Sequence, residues 1–362
     1  MTDLKGKVSR FHKRLSTMHK QSRRNWFSLI YHILRLKFTR GFYFVEIHDN
    51  ELDMRGRGYE DSFLNWREQQ KYLAVLNPRK YYSVARNKWL THIVLETVGV
   101  KDRARLLCYS NPELGEGNEN VARNRQQVLQ MLGQSGLNSF IVKTTESSHG
   151  DNVWVIKDME RQGDDALLTR FDNRQVRLSE LLGEEPLIFE SLIKQSRQFG
   201  ELNATSVNTI RFMTTLMPDG TAKVIAAFFK IGRAGKCVDN AGSGGNVDAG
   251  IDIETGQLIN PIIFNTHRNT KPAEFHPDSG VSLKNFKIEN WEAIKRKVEE
   301  FQQRLTFVKA AGWDIAITDN GPKVIEVNDM WDRIGQMFIG RGWKKEIETC
   351  YLAWKEYYSN KK

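Results

Sequence analysis

GWDIAITDNGPKVIEVNDM, residues 312–330, alternates apolar with other residues on both sides of Asp319-Asn320-Gly321. Residues that tolerate positive φ between two alternating runs predict a hairpin, with WDIAIT as one strand and KVIEVN as the other. Side chains alternate faces along a strand, so Glu326 and Asn328, two apart, point the same way, and pairing about the turn brings Asp314 toward them. Two carboxylates and one amide oxygen on one surface form a hard, oxygen-only site. Such a set suits Mg2+, which takes one or two carboxylates, keeps waters and completes its shell with substrate phosphates. The other reading of the same stretch is a solvated hairpin face with scattered acids.

Working outward, SVNTIRFMTTLMPDGTAKVIAAFFKIG (206–232) carries a second hairpin signal, with Pro218-Asp219-Gly220 between two runs rich in β-branched and aromatic residues. A glycine-rich loop follows. Trp291, Ile294, Val298, Phe301 and Leu305 then mark one side of a long amphipathic helix that feeds into the 312–330 hairpin. Upstream, VARNRQQVLQMLGQSG (121–136) predicts an amphipathic helix closed by glycine, and SFIVK, NVWVIK and PLIFE predict short strands. CYSNPELGEGNEN (108–120) is a loop by composition. Strands and helices mix without regular βαβ alternation, which predicts an α+β fold with antiparallel sheets.

Charged residues fall where such strands ordinarily carry apolar ones. Arg211 interrupts NTIRF, and Lys230 and Arg233 close the partner strand at FFKIGR. A merely structural strand would have threonine or valine there, because charges enter apolar strands when paired or functional. Lys143 ends SFIVK and is followed by a loop containing Ser147, Ser148 and Gly150, a setting in which a lysine and backbone N–H groups can hold phosphate oxygens. Cations together with carboxylates are what phosphoryl chemistry requires. No G-x-x-x-x-G-K-[ST] string and no H-R-D or D-F-G set occurs, so a nucleotide would be held in another way.

Bulk properties narrow the partners. A chain of 362 residues with 40% apolar content can bury two or three packed subdomains. Three widely spaced cysteines, Cys108, Cys237 and Cys350, indicate neither a disulfide framework nor a zinc motif and fit a reducing, cytoplasmic setting. No apolar run approaches the roughly 20 residues of a spanning helix, and the polar N-terminus does not read as a secretory signal. The net charge of +10 is concentrated in residues 1–40, which hold eleven Lys/Arg against Asp3 alone. There Leu4, Val8, Phe11, Leu15 and Met18 share one helical face opposite the basic one. Either the stripe packs on the protein's own core, or it meets a membrane surface or anionic partner. No nucleic-acid reader motif accompanies the charge.

The run of IVK, LIFESLI, NTIR, KIGRAGKCVDNAGSGG and GWDIAITDNGPKVIEVN, over roughly residues 80–345, resembles the ATP-grasp superfamily and closely its sugar-transfer associated branch. The resemblance implies two antiparallel α+β subdomains clasping ATP: a small one over 137–200 with phosphate loop and adenine hinge, and a large one over 201–362 with metal and catalytic residues. A basic, mostly helical region, 1–80, and linker helices, 81–136, would precede them. By resemblance Lys88 and Lys143 contact ATP, Glu190 accepts from the adenine amino group, the Leu192 backbone meets the ring, and Gln195 lies near the ribose. Arg211, Lys230 and Arg233, with Asn240 nearby, would stabilise the γ-phosphate and an acyl phosphate, and Asp314, Glu326 and Asn328 would hold Mg2+. The loop after Lys143 has fewer glycines than its relatives, VNDMWD replaces small residues, and His276-Pro277 is read as a turn. The implied activity is an ATP- and Mg2+-dependent carboxylate–amine ligase acting on small molecules, possible substrates including a sugar or polysaccharide precursor. The alternatives are a kinase of the same fold and a non-catalytic nucleotide-binding scaffold at the inner membrane face.

Overall fold

The computed structural model describes residues 4–114, 120–146, 152–236, 241–242 and 244–361. The 312–330 stretch forms β13 (Ala310–Thr318) and β14 (Gly321–Asn328), the last two strands of a seven-stranded sheet. The others are β8 (Thr209–Leu216), β9 (Ala222–Ile231), β10 (Asn246–Ile251), β11 (Leu258–Thr266) and β12 (Asn269–Pro272), in spatial order β12-β11-β10-β9-β8-β13-β14. Every pairing in this sheet is antiparallel.

Its register separates two chemistries by face. Trp313 stands opposite Phe212 on one side and Val327 on the other, and one residue along, Asp314 stands opposite Arg211 and Glu326. Because side chains alternate, Phe212, Trp313 and Val327 share the core face, and Arg211, Asp314 and Glu326 share the other. The helix Trp291–Arg304 covers the core face with Trp291, Ile294, Val298 and Phe301, as its periodicity predicts, and the Phe212 and Trp291 rings stack at 5.4 Å. Gln302, the polar residue in this helix face, is buried; it accepts from Thr214 Oγ1 at 2.6 Å and donates to the Val308 carbonyl at 2.7 Å. Both ends of its amide are thus satisfied, which burial demands.

A second seven-stranded sheet comprises β1 (Leu106–Ser110), β2 (Val121–Ala122), β3 (Phe140–Thr144), β4 (Val153–Gln162), β5 (Asp165–Arg170), β6 (Gln175–Arg177) and β7 (Leu187–Ser191), ordered β2-β1-β7-β3-β4-β5-β6. Only β1 and β2 pair in parallel. The helix Arg125–Ser135, ended by Gly136 in the left-handed conformation, packs Val128, Leu129 and Leu132 on it. Here the structure corrects the loop reading of 108–120: Cys108, Tyr109 and Ser110 belong to β1, whose short apolar run carries no alternation to reveal it. Two largely antiparallel sheets with helices on them make an α+β protein with a helical N-terminal region.

That region begins with α1 (Leu4–Ser22), α2 (Trp26–Arg40) and α3 (Phe44–Asp49). It is anchored to the tip of the β11–β12 hairpin by Arg268, whose guanidinium is buried against Asp53 and donates to the His48 carbonyl at 2.7 Å. Of the α1 stripe, Met18 is buried and Leu15 half-buried in a small core with Leu29, Leu36 and Phe63, whereas Val8 and Phe11 stay about half exposed. Breaking a buried ion pair by removing one partner costs about 3–5 kcal/mol. Arg268→Ala is therefore expected to lower the urea midpoint and to expose residues 4–62 to limited proteolysis; an unchanged midpoint and cleavage pattern would contradict the anchoring.

Candidate functional site

Between the sheets lies a cavity of about 500 Å3. The β1–β7 sheet and the segment that leaves it contribute apolar walls, Ile141, Val155, Phe171 and Ile193 among them, and the β8–β14 sheet contributes Lys230, Asp314 and Glu326. Main-chain links fix the two sides near the opening: Ser196 N–H donates to the Ile317 carbonyl at 2.7 Å, and Val324 N–H to that of Asp102 at 2.7 Å.

The charged wall follows from strand order. With β9, β8, β13 and β14 adjacent, Lys230, Arg211, Asp314 and Glu326 lie abreast on one sheet. The Arg211 guanidinium grips the Asp314 carboxylate with two bonds of 2.5 and 2.8 Å, and Lys230 Nζ lies 3.1 Å from Asp314 Oδ1. Burial pushes the Asp314 carboxyl up, but Arg211 and Lys230 outweigh it and hold it at about 2. Burial likewise opposes the charge on Arg211, and Asp314 and Glu326 more than restore it, so its pKa ends raised. On this sheet cations and acids therefore share one face. Glu326 lines the cavity, and its carboxylate makes no hydrogen bond or ion pair among the described residues, though its charge acts on Lys88 and Arg211.

Across the cavity Lys143 on β3 pairs with Glu190 on β7 at 2.8 Å. Lys88, in the first turn of the helix Lys88–Thr97, joins them; burial and Lys143 lower its pKa against the pull of Glu326 and Glu190. With Lys194 and Lys230, four lysines thus line one cavity, a concentration of cations that a polyanion would relieve.

Of the residues singled out from sequence, Lys88, Lys143, Glu190, Leu192, Gln195, Lys230, Asp314 and Glu326 line this cavity. Arg211 is not among the lining residues and stands beside Asp314. Gln195 spends its amide on the chain: it donates to the Asn203 and Ser206 carbonyls at 2.6 and 3.0 Å and accepts from Asn208 N at 3.0 Å, which shapes the 203–208 turn. Arg233 also lies outside the lining, bonded in bidentate fashion to Asp278 at 2.7 and 2.8 Å and donating to the Gly245 carbonyl at 2.9 Å. Ser147, Ser148, Gly150 and Asn240 lie outside the described residues.

Two residues that pattern alone did not assign hold the ends of the glycine-rich loop. His276 is buried, which lowers its pKa and keeps it neutral; its Nε2 donates to the Gly232 carbonyl at 3.0 Å and Nδ1 accepts from Ser279 Oγ at 3.2 Å. Asp248, buried opposite Lys230 in register, accepts from Gly242 N at 2.9 Å. The available signals were a histidine in the FHPDSG turn and an aspartate in the middle of β10, NVDAGI.

Whether the hairpin fits a divalent cation is tested by its donor atoms. Glu326 is an uncommitted carboxylate, and Asn328 has a buried Nδ2 with no partner, on an amide whose two ends exchange by rotation. Both suit a hard ion. Asp314 is adjacent to Glu326 but already bonded to Arg211 and Lys230, a commitment that spacing did not foresee. Among the described residues no cluster of three His, Cys, Asp or Glu side chains forms a metal site, so an ion here would draw its other ligands from water and substrate.

Two antiparallel-rich α+β units closing on a cleft, with lysines from both sides and acids on a terminal hairpin, constitute an ATP-grasp fold. Residues 67–350 match the family described as sugar-transfer associated ATP-grasp, and the chain belongs to that family. Similar solved structures include N5-carboxyaminoimidazole ribonucleotide synthetase in complex with ADP (13% identity, 69% of this chain, 46% of that one, TM-score 0.35). D-alanine–D-alanine ligase from Bacillus anthracis (11%, 77% and 70%, TM-score 0.39) and phosphoribosylamine–glycine ligase from Thermotoga maritima (10%, 85% and 64%, TM-score 0.45) are others. The chain spans less than half the length of the first of these. No curated protein matches it.

Asp314→Asn would leave Arg211 and Lys230 buried beside a neutral amide, at a cost of about 3 kcal/mol. Because the folded carboxyl is depressed to about 2, its contribution is complete at neutral pH and is lost as pH falls from about 4 through 2. Urea unfolding should accordingly show a large gap between wild type and Asp314→Asn at pH 7 that narrows at pH 3; equal midpoints at pH 7 would contradict the pairing.

Proposed function

We propose that this chain is an ATP- and Mg2+-dependent ligase that joins a carboxylate to an amine, with an acid or amine carried on a sugar or polysaccharide precursor. The observation supporting it most is the cavity itself: an apolar side, four lysines and a glutamate carboxylate free of ion pairs converging on one space. Adenine would lie against the apolar wall at Glu190 and the Leu192 backbone, with Lys143 keeping Glu190 in place as an acceptor. The triphosphate would extend toward Lys88, Lys143 and Lys230.

A carboxylate resists attack because its leaving group would be oxide. Its oxygen attacks the γ-phosphorus, the bond to ADP breaks, and the product is an acyl phosphate. The amine nitrogen then attacks the acyl carbon, phosphate leaves with the electron pair of the C–O bond, and the nitrogen loses a proton. Lys230, with Arg211 behind Asp314, supplies fixed positive charge where negative charge develops, without any reorganisation of solvent. Arg233, held by Asp278, fixes the Gly245 carbonyl and would add positive charge beside the phosphates. A bound magnesium ion, held by Glu326 and Asn328 with Asp314 adjacent, would neutralise phosphate charge. We also propose a cytoplasmic location in which the basic N-terminal region meets an anionic membrane surface.

Purified protein given ATP, Mg2+ and pooled sugar acids and amino acids should release ADP and phosphate only when acid and amine are both present, and hydroxylamine should trap the activated acid. Glu326→Gln should reduce turnover by at least about 100-fold while leaving the melting temperature near wild type. A stable phosphorylated product formed without amine and indifferent to hydroxylamine would contradict ligation in favour of a kinase. ADP release unaffected by Glu326→Gln would remove the proposed cation site.

A further inference from the structure

The face of α2 turned away from the protein is apolar. Phe27, Ile30, Tyr31, Leu34 and Phe38 follow one another at helical spacings and occupy about 100° of its circumference. Phe27 is 89% exposed and Phe38 76%, and the other three are also exposed. The opposite side, Leu29, His32 and Leu36, is buried in the N-terminal core. A helix apolar on both sides belongs between two apolar phases. The protein supplies one of them.

The inward side is locked, so the stripe cannot roll under. Arg35 pairs with buried Glu60, and His32 Nε2 bonds the Leu52 carbonyl at 3.2 Å. Asn25 accepts from Ser28 N at 2.8 Å at the helix start, and Gly41, at φ 74°, closes the end by donating to the Lys37 carbonyl at 3.1 Å. At fifteen residues, α2 is about 22 Å long, against about 30 Å for a bilayer's hydrocarbon core. Among the described residues no helix is long and apolar enough to cross a membrane. The stripe is therefore suited to lie along a surface.

Charge selects the surface. The first 40 residues carry eleven Lys/Arg and one acid. Lys37 flanks the stripe with Nζ 5.7 Å from the Phe38 ring centre, and Trp26 stands at its beginning, stacked on His19 at 3.9 Å. Aromatic residues with a basic border are the composition of interfacial helices. A second copy would bring the same positive charge against itself. The family match begins at residue 67, so α1 and α2 are additions to the catalytic fold.

We infer that α2 docks flat on an anionic lipid bilayer and sinks Phe27, Leu34 and Phe38 to the boundary between headgroups and acyl chains. The inference rests on the reading of an anionic membrane as partner and changes what holds the protein there. Apolar insertion by α2 does so, not attraction of the α1 cations alone, because the C-terminal part of the α1 stripe is spent inside the protein.

The test is flotation of the full chain with phosphatidylcholine vesicles, with and without phosphatidylglycerol, at low and high salt. Wild type should float with the mixed vesicles and remain partly bound at high salt. The variant F27S/L34S/F38S, all surface changes, should lose at least tenfold in binding at both salts, whereas K7Q/K13Q/K20Q should lose binding mainly at low salt. If the serine variant floats like wild type, insertion by α2 is overturned while the electrostatic reading stands; if wild type does not float, both fall. A wild-type dimer that the serine variant dissociates, without vesicle binding, would assign the face to a second copy and overturn the inference. Independently of the variant's folding, brominated acyl chains should quench wild-type tryptophan fluorescence, with most of that signal gone in Trp26→Phe; unquenched wild type would also overturn it.

Discussion

Asp314 sits in the middle strand of a charged row, between Arg211 and Glu326, with Lys230 reaching it from two strands away. Four charges abreast on one sheet face are expensive to desolvate, and apolar residues of similar size would pack there at less cost. What makes the row tolerable is its arithmetic: Arg211 and Lys230 oppose Asp314 and Glu326, with Asp314 fully bonded to both cations. What makes it useful is the remainder, a glutamate turned to the cavity and a lysine shared between an acid and open space. The core beneath is set by the same register, since each step along β13 alternates a member of the row with a member of the Trp313 layer. A one-residue slip would bury the charges under the helix Trp291–Arg304 and turn Trp313 outward.

Much of this was legible because the physical signals are local. A turn of Asp-Asn-Gly between alternating runs specifies a hairpin, and a charge in an apolar strand demands a partner or a task; Asp314, Arg211 and Lys230 all answered to that logic. The helix Trp291–Arg304 announced itself by period. Less was visible where the decisive contact is distant in sequence. Nothing near Asp314 says that Arg211, more than a hundred residues earlier, will hold both its oxygens, and nothing near Arg233 names Asp278 as its partner. Gln195 lines the cavity as expected, but nothing near it in sequence says that its amide will bond the 203–208 turn. β1 escaped because five residues without alternation resemble any apolar run. His276 and Asp248 were in view as residues, but their work, holding Gly232 and Gly242, exists only once the glycine-rich loop has returned past them.

The chain also divides its charge by region. Outside the first 40 residues basic and acidic side chains are equal in number, and in the cavity lining Lys88, Lys143, Lys194 and Lys230 stand against Glu190, Asp314 and Glu326. The uncompensated charge lies on the helices that precede the family match. One set of cations lines the cavity between two sheets, and the other borders an exposed apolar stripe. Arg268 joins the regions mechanically, fixing the N-terminal helices to the β11–β12 hairpin of the sheet that carries the charged row.

The central claim is that a nucleoside triphosphate lies between the apolar wall at Glu190–Gln195 and the charged row. A crystal structure of the full chain with a non-hydrolysable ATP analogue and Mg2+ tests it most directly. The account predicts the base against Leu192 and Ile193 and the terminal phosphate within reach of Lys230, with the ion on Glu326. A nucleotide bound elsewhere, or a cavity that excludes the analogue at saturating concentration, would contradict it.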